Sequence, residues 1–330
     1  MKNVKWLIVF LPFVISCKKE EKGFNIPSHI PFPNYSLDGD PNRLVWEAWG
    51  RLLFYDKGLS RDSSISCGSC HAQVHGFADH GTPLSTGVDG KKGIRNSPAI
   101  FNMAWNKSFM WDGGINHIEV MPLAPITNPV EMDLSMSQAM ERVNANQGYR
   151  KFLFLSKEGD SFESSDMLKA LAAFMSSIVS FNSKYDLVMQ GQSVFTANEK
   201  EGYVLFKKYC NECHNEPLFQ SSDFRSNRNR WLSEDAGRYK ITLDSLDFGK
   251  FKVPTLRNLS FSYPYMHSGA ERNLNDVLSK YLLMGESVFS DDSDIQNLYT
   301  MTPLEVQKIK AFLLTLDDYS LLSNYNYSEP

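Results

Sequence analysis

Apolar residues recur at helical spacing in several separate stretches of this chain. Residues 41–56 (PNRLVWEAWGRLLFYD) and 165–181 (SDMLKALAAFMSSIVSF) each have one apolar face with a period near 3.6 residues, which predicts amphipathic helices. No stretch alternates apolar and polar residues convincingly in the manner of paired strands. The pattern therefore predicts a mainly α fold.

Two further helices carry recognisable start signals. TANEKEGYVLFKKYC begins with a capping box of Thr196 and Glu199, and TPLEVQKIKAFLLTL begins with Thr302, Pro303 and Glu305. Residues 67–132 are rich in glycine, proline and asparagine, and we expect them to form long ordered loops with short turns.

The chain contains an internal repeat. PAIFNMAWNKSFMWDGG (98–114) and PTLRNLSFSYPYMHSGA (254–270) align without gaps, so that proline, asparagine, methionine and glycine recur at one constant separation. Each copy follows a Cys-x-x-Cys-His motif. We therefore expect two domains related by internal duplication, with a boundary near residues 190–196.

The N-terminus has the features of an export signal. Two lysines precede an apolar run at residues 6–15, which is too short to span a bilayer. VISC at 14–17 resembles a bacterial lipobox, in which Cys17 is lipidated and becomes the first mature residue; a plain signal peptide with an incidental cysteine is the alternative. Residues 18–40 are predicted to be a solvated tether. These features predict a protein on the periplasmic side, lipid-anchored to the outer membrane.

Composition excludes some classes of protein. The chain has 330 residues, of which 42% are hydrophobic, enough for one large or two ordinary domains. The net charge of −4, with no long basic run, makes nucleic acid an unexpected partner. Five cysteines are too few for a disulfide scaffold, and lipidation of one leaves two matched pairs.

Those two pairs each belong to a Cys-x-x-Cys-His motif, CGSCH at 67–71 and CNECH at 210–214. This motif attaches c-type haem, since two thiols add to the porphyrin vinyl groups and the adjacent histidine becomes an axial ligand of the iron. The sequence thus predicts two covalently bound haem c groups, held by Cys67, Cys70, His71, Cys210, Cys213 and His214.

Two other uses of the cysteines are weaker. A zinc site built from both pairs would join ligands much farther apart in sequence than is usual. A redox disulfide within one motif would need a βαβ setting, of which the sequence shows no sign.

Several motifs together resemble the bacterial di-haem cytochrome c peroxidase family, including its methylamine-utilisation (MauG) branch. The resemblance covers about residues 40–318 and is carried by LSRDSSISCGSCH, GIRNSP, MWDGG, NPVEM, FKVPTLRN, YPYMHSG and KIKAFLLTL. It implies two cytochrome c-like domains, a peroxidatic haem domain at 41–192 and an electron-entry haem domain at 193–320, before a tail at 321–330.

The resemblance also implies roles for individual residues. His71 and His214 match the proximal haem ligands, and Trp111 matches the tryptophan between the two haems. Glu131 matches the distal-pocket carboxylate that moves a proton during peroxide cleavage. Simple core packing is the alternative for Trp111, and a helix N-terminal charge is the alternative for Glu131.

A calcium site between the domains is implied as well. Asn96, Ser262 and Pro264 match its ligands, and an amide oxygen with backbone carbonyls and waters suits a hard cation. Asn96 could equally be an ordinary turn residue.

Four positions depart from the family pattern, two at the first haem and two beside the second. Val88 stands where peroxidases carry a histidine ligand, so we expect the first haem to be open to peroxide without prior reduction. Met121 replaces a distal glutamine, and Lys208 replaces the tryptophan that the MauG reaction uses, so that protein-oxidising reaction does not carry over. His75 and His80 remain alternative ligands of the first haem.

Tyr281 stands where the peroxidases have the methionine ligand of the second haem, which is the pattern of the MauG branch. A helix that begins at Asn273 or Asn275 would put Tyr281 on its apolar face. Met266 and Met284 are the competing ligands, and packing in the core is the alternative for the tyrosine ring.

These features predict a peroxidase that reduces hydrogen peroxide to water with electrons from a small cytochrome or cupredoxin. The electrons would enter at the second haem and cross by way of Trp111. A MauG-like oxidase of a protein or organic substrate is the first alternative, and a non-catalytic electron carrier is the second. The sequence is silent on oligomeric state, although the resemblance is compatible with a homodimer.

Overall fold

A computed structural model describes residues 26–79, 81–227, 234–285 and 301–330, with side chains of the third range described through Leu282. The predicted signal peptide with Cys17, and the candidate ligand His80, lie outside these residues. Within the described ranges, no helix has both the length and the apolar character needed to cross a membrane.

The described chain is mainly helical, as the apolar pattern predicts. Its first half contains α1 (Arg43–Tyr55), α2 (Cys67–Cys70), α3 (Leu123–Thr127), α4 (Met136–Ala145), α5 (Arg150–Ser156) and α6 (Ser164–Ser177). Its second half contains α7 (Lys184–Met189), α8 (Ala197–Tyr209), α9 (Tyr239–Thr242), α10 (Leu274–Gly285) and α11 (Pro303–Leu313). Two short antiparallel strands, β1 (Phe224–Arg225) and β2 (Phe251–Lys252), pair with each other.

The predicted helix starts are confirmed where their caps can be seen. The side chain of Thr196 accepts a hydrogen bond from the Glu199 backbone, and Thr302 does the same for Glu305. In α10, the side-chain oxygen of Asn273 accepts a bond of 3.0 Å from the backbone N–H of Asp276, so the cap of this helix is Asn273.

In the first core, α1 packs against α6 at a glycine. A Cβ built on Gly50 would lie 1.8 Å from the carbonyl oxygen of Ala170 and 2.9 Å from the Cβ of Phe174. Only glycine permits the two helix backbones to approach this closely. The surrounding core contains buried Trp49, Leu53 and further apolar residues of the first half.

The second core uses the same contact between α8 and α11. A Cβ on Gly202 would lie 1.9 Å from the carbonyl oxygen of Lys308 and 3.0 Å from the Cβ of Phe312. In both cores, therefore, a glycine on the helix before the Cys-x-x-Cys-His motif contacts a backbone carbonyl of a later helix. A phenylalanine lies one turn after that carbonyl on the same helix.

The two repeat segments adopt matching backbone turns. Asn102 and Asn258 have φ values of 55° and 62°, and Met110 and Met266 have φ values of 66° and 71°. Asparagine tolerates this left-handed region, whereas methionine enters it only under the constraint of the surrounding fold.

The segment at residues 26–40 differs from the expected solvated tether. Ile30 is buried in a small cluster with Trp105 and Phe181. The imidazole Nε2 of His29 lies 3.0 Å from the Oδ1 of Asp186 in α7. Apolar burial and a polar contact therefore hold this segment on the folded domains.

The C-terminal tail packs closely against the first half of the chain. The hydroxyl of Tyr327 donates to the carbonyl of Ser177 at 2.8 Å, and its own carbonyl accepts from the Tyr55 hydroxyl at 2.6 Å. Tyr327 and Leu321 belong to the first core, so the end of the chain returns to the first domain.

Candidate functional site

The first Cys-x-x-Cys-His motif forms one wall of a deep cavity. Cys67 and Cys70 are the ends of the short helix α2, whose start at Ser66 is held by a capping box with Ser69. Both cysteines and His71 line a cavity of about 550 Å³. Burial raises the pKa of Cys67 to about 12, so the thiol is neutral.

A backbone carbonyl orients the histidine of this motif. The Nδ1 of His71 lies 3.1 Å from the carbonyl oxygen of Phe77, which requires the hydrogen on Nδ1. The lone pair is then on Nε2, the arrangement that a metal-binding imidazole needs. Burial lowers the pKa of His71, which favours the neutral, ligating form.

The second motif repeats this arrangement. Cys210, Cys213 and His214 line a second cavity of about 480 Å³. The Nδ1 of His214 lies 3.0 Å from the carbonyl of Pro254, and burial lowers its pKa to about 4. Two cysteine thiols and a neutral imidazole that carries its hydrogen on Nδ1, set in an apolar cavity, are the donors that a haem c requires.

The zinc alternative is wrong, because the two cysteine pairs lie in different cavities. None of the four motif cysteines forms a disulfide in the structure. Nowhere in the described ranges do three or more histidine, cysteine or acidic side chains gather in a group that could hold a metal ion.

Trp111 lies in the wall between the cavities and lines both of them. Its indole N–H donates to the carbonyl of Asn96 at 2.8 Å, and its carbonyl accepts from the backbone N–H of Lys252 at 2.8 Å. The ring of His267 meets the indole edge-to-face, with centroids 6.4 Å apart. Bonds from both domains therefore fix this indole at their boundary.

Glu131 lines the first cavity. Burial raises the pKa of its carboxyl group, and a 2.7 Å hydrogen bond from the side-chain amide of Asn128 to Oε1 acts in the opposite direction. The helix-charge alternative is wrong, because α4 begins at Met136 after its cap Ser135, well beyond Glu131. A carboxyl with a raised pKa, held by an amide in a cavity, is suited to proton transfer.

Two residues that depart from the family pattern differ in whether they line the first cavity. Met121 lines the first cavity, whereas Val88 is fully buried and is not among the described residues that line it. The backbone N–H of Val88 donates to the carbonyl of Glu131 at 2.9 Å. His75 lies in a short 3₁₀ turn and is likewise absent from the described lining.

Two candidate ligands lie together in the second cavity. Tyr281 of α10 and Met266 both line it, and the side-chain amide of Asn227 contacts each of them. That amide donates to the sulfur of Met266 at 3.5 Å. Burial raises the pKa of Tyr281 to about 12, while the bond from Asn227 lowers it. The side chain of Met284 lies outside the described residues.

The three predicted calcium ligands lie at the domain boundary. Asn96 is buried and lines the second cavity together with Ser262 and Pro264. Its side-chain amide donates to the carbonyl of Pro83 at 3.0 Å, and its backbone N–H donates to the carbonyl of His267 at 2.7 Å. This corner is therefore rich in carbonyl oxygens.

Three polar residues at the cavities were not predicted from the sequence. Asn128 and Lys252 stand inside the motifs NPVEM and FKVPTLRN, so the motifs alone gave a reason to consider them. Asn227 lies in a stretch with no pattern, and only the fold brings it to Tyr281.

Comparison with known proteins identifies the relatives of this chain. Residues 46–194 match the family model described as di-haem cytochrome c peroxidase. The chain is 33% identical over 300 residues to methylamine utilization protein MauG of Methylorubrum extorquens, covering 89% of this chain and 83% of that protein. It is 33% identical over 274 residues to cytochrome c551 peroxidase of Nitrosomonas europaea, covering 81% and 78%.

A solved structure matches the whole fold. The crystal structure of a MauG-like protein associated with microbial copper homeostasis superposes with a TM-score of 0.82 at 28% identity. The match covers 93% of this chain and 99% of that one. The match therefore extends over both halves of this chain.

Proposed function

The chain belongs to the di-haem cytochrome c peroxidase family, which includes MauG, and we propose that its two haem c groups have separate roles. It is an oxidoreductase that reduces hydrogen peroxide with electrons from a small redox protein. The first cavity would be the peroxide site and the second the point of electron entry. The main support for this proposal is the position of Glu131 in the lining of the first cavity.

Each haem would be held by the residues of its own motif. Cys67 and Cys70 would form the two thioethers in the first cavity, and the Nε2 of His71 would bind the iron. Once bound, haem iron supplies the electron transfer and the Lewis acidity needed to reduce peroxide. The second motif would act in the same way.

We propose that Glu131 handles the proton in the first cavity. Reduction of hydrogen peroxide to two water molecules consumes two electrons and two protons. A carboxylate can take the proton from one peroxide oxygen and return it to the oxygen that departs. The amide of Asn128, bonded to Oε1, would hold the carboxyl group in place during both transfers.

Trp111 is proposed as the electron path between the haems. Its support is the position of the indole in the wall shared by both cavities. An oxidisable indole there shortens the distance that each electron transfer must cover, and its hydrogen bond to Asn96 fixes it in place.

Tyr281 is our proposal for the sixth ligand of the second haem. The support is its position in the cavity on α10, with the amide of Asn227 beside its hydroxyl. Met266 remains the alternative, since its sulfur is also in contact with Asn227. A phenolate would lower the reduction potential of this haem, whereas a thioether would raise it.

We further propose a calcium ion at the domain boundary, bound by Asn96, Ser262 and Pro264. The support is the cluster of carbonyl oxygens around the buried Asn96. Chelation with EGTA should then reduce electron transfer between the domains, and added Ca²⁺ should restore it.

Internal duplication of a haem domain is also a proposal. It is supported by the paired left-handed turns at Asn102 and Asn258, and by the paired helix contacts at Gly50 and Gly202.

Export to the periplasmic side, with lipid on Cys17 as the anchor to the outer membrane, remains a proposal. Labelling of cells with radioactive palmitate would test it, because a Cys17→Ala variant should lose the label. Assembly as a homodimer also stays a prediction, which light scattering of the purified holoprotein can test.

Peroxide kinetics test the proposed function. The holoprotein should consume hydrogen peroxide in proportion to the reduced cytochrome or cupredoxin that it oxidises. Peroxide consumption that requires no donor, with oxidation of a protein or organic substrate, would instead support the MauG-like alternative, which the relatives of that name favour. Electron paramagnetic resonance that shows two low-spin haems, without any peroxide turnover, would support a simple electron carrier.

A further inference from the structure

Lys252 is a partly buried cation at the boundary between the two cavities. It is the second residue of β2, and it lines both cavities. Desolvation at this wall lowers the pKa of its ammonium to about 8. Across the described ranges, the structure records no hydrogen bond and no ion pair of this ammonium.

Other cations at the same boundary already have partners. The guanidinium of Arg95 binds the carboxylates of Asp112 and Asp235, with a distance of 2.6 Å to Asp235. Lys240 lies 2.8 Å from the same Asp235. Asp112 and Asp235 are therefore paired with cations other than Lys252.

A buried ammonium is stable in its charged form only with a counter-charge, because desolvation costs more than any weak long-range attraction returns. Haem carries two propionate carboxylates on the edge opposite its vinyl groups. A haem attached through Cys210 and Cys213, or through Cys67 and Cys70, directs those carboxylates away from its cysteines. Lys252 lines both cavities and can meet a carboxylate from either side.

We propose that the ammonium of Lys252 pairs with a haem propionate at the wall shared by the two cavities and raises the reduction potential of that haem. The proposal rests on the proposed function only in requiring haem c in both cavities. A positive charge near haem disfavours the ferric form, which carries one more positive charge than the ferrous form. Lys252 would thus favour an electron on the haem that it faces.

The position of Lys252 also ties this charge to the electron path. Its backbone N–H donates to the backbone carbonyl of Trp111 at 2.8 Å, so the two residues are joined through their main chains. A single residue of β2 therefore contributes both to the placement of Trp111 and to the charge at the boundary. The backbone bond is unaffected by a side-chain substitution, which allows the two contributions to be separated.

The test is a spectroelectrochemical titration of the di-haem holoprotein and of three variants. Lys252→Met removes the charge and keeps the length of the chain, whereas Lys252→Arg keeps the charge. Lys250→Met is the matched control, because Lys250 lies two residues away, contacts Asp247 and is not among the described residues that line either cavity. Mass spectrometry first establishes that each variant carries two haems.

The expected result is a shift to lower potential of at least one haem in Lys252→Met, with potentials close to the unmodified protein in Lys252→Arg and Lys250→Met. Unchanged potentials of both haems in Lys252→Met would overturn the proposal. Equal shifts in Lys252→Met and Lys252→Arg would also overturn it. The potential would then depend on the size and shape of the side chain and not on its charge.

If Lys252→Met fails to retain both haems, Lys252→Gln is measured in its place. Lys252→Gln keeps a polar group without charge, and the same lower potential is expected from it. These readouts do not depend on turnover. Potentials that shift as expected in a protein without peroxidase activity would reject the proposed function and leave the role of Lys252 intact.

Discussion

Glu131 has the environment of a proton-transfer group, since burial raises its pKa and Asn128 holds one of its oxygens. We predict that Glu131→Gln slows peroxide cleavage by about 10²- to 10⁴-fold, the usual loss when a general acid–base group is removed. Stopped-flow mixing of the holoprotein with hydrogen peroxide measures this rate. Unchanged kinetics in a variant that retains both haems would remove Glu131 from the mechanism.

The bond from Asn128 gives a prediction about pH. As a base, Glu131 must be ionised, so the rate should fall as pH falls through its pKa. Asn128→Leu removes a hydrogen bond that lowers this pKa, so the acidic limb of the pH–rate profile should move to higher pH. Asn144→Leu is a suitable control, because Asn144 bonds to Phe162 in the first domain and does not line the first cavity among the described residues. An acidic limb at the same pH in both variants would contradict the assignment.

Tyr281 gives the third prediction at this scale. Tyr281→Phe should change the absorption spectrum of the second haem and raise its potential, because a phenolate ligand stabilises ferric iron. Spectroelectrochemical titration measures both quantities. Met266→Leu is the companion variant; if it alone changes the spectrum, the ligand is Met266 instead.

At the scale of elements, one glycine determines how closely α1 and α6 pack. Gly50→Ala would place a Cβ at 1.8 Å from the Ala170 oxygen, so the helices must separate. We predict a loss of about 1–3 kcal/mol in the free energy of unfolding, the usual cost of overpacking a core. Urea denaturation of the holoprotein measures it.

Gly148→Ala provides the control for this substitution. Gly148 is exposed, and a Cβ built on it meets only the exposed side chain of Asn146, at 3.1 Å, so the alanine should change the free energy of unfolding by less than about 0.5 kcal/mol. Equal stability of the two variants would show that the contact at Gly50 is not tight.

At the scale of the whole molecule, a buried ion pair joins α7 to the second domain, and the N-terminal segment contacts the same carboxylate. Arg257 and Asp186 are fully buried, with a bidentate contact of 2.8 Å, and His29 reaches the same carboxylate. Burial alone would raise the pKa of Asp186, but Arg257 and the other donors hold it below its ordinary value.

We predict that Asp186→Asn costs about 3–5 kcal/mol at neutral pH, because it leaves Arg257 buried without a counter-charge. A lowered pKa in the folded state means that the stabilisation is complete above the unfolded value of about 3.9 and disappears as pH falls through the folded value. Urea denaturation at pH 7 and pH 3 should therefore show a smaller difference between variant and unmodified protein at pH 3. If the difference in the free energy of unfolding is the same at pH 7 and pH 3, the ionised carboxylate of Asp186 is not the source of the stabilisation.

The sequence by itself determined the features that depend on local spacing. The period of apolar residues predicted α1 and α6, because the amphipathic pattern is a property of each segment alone. The capping boxes at Thr196 and Thr302 predicted the starts of α8 and α11 for the same reason. Both Cys-x-x-Cys-His motifs were equally readable, since their chemistry requires a fixed short spacing.

Tertiary structure alone decided what depends on residues far apart in the chain. It placed Trp111 in the wall of both cavities, brought Asn227 to Tyr281, and set Lys252 where it lines both cavities. It also returned the tail with Tyr327 to the first core. Burial and charge pairing are sums over neighbours from distant segments, and no local pattern contains that information.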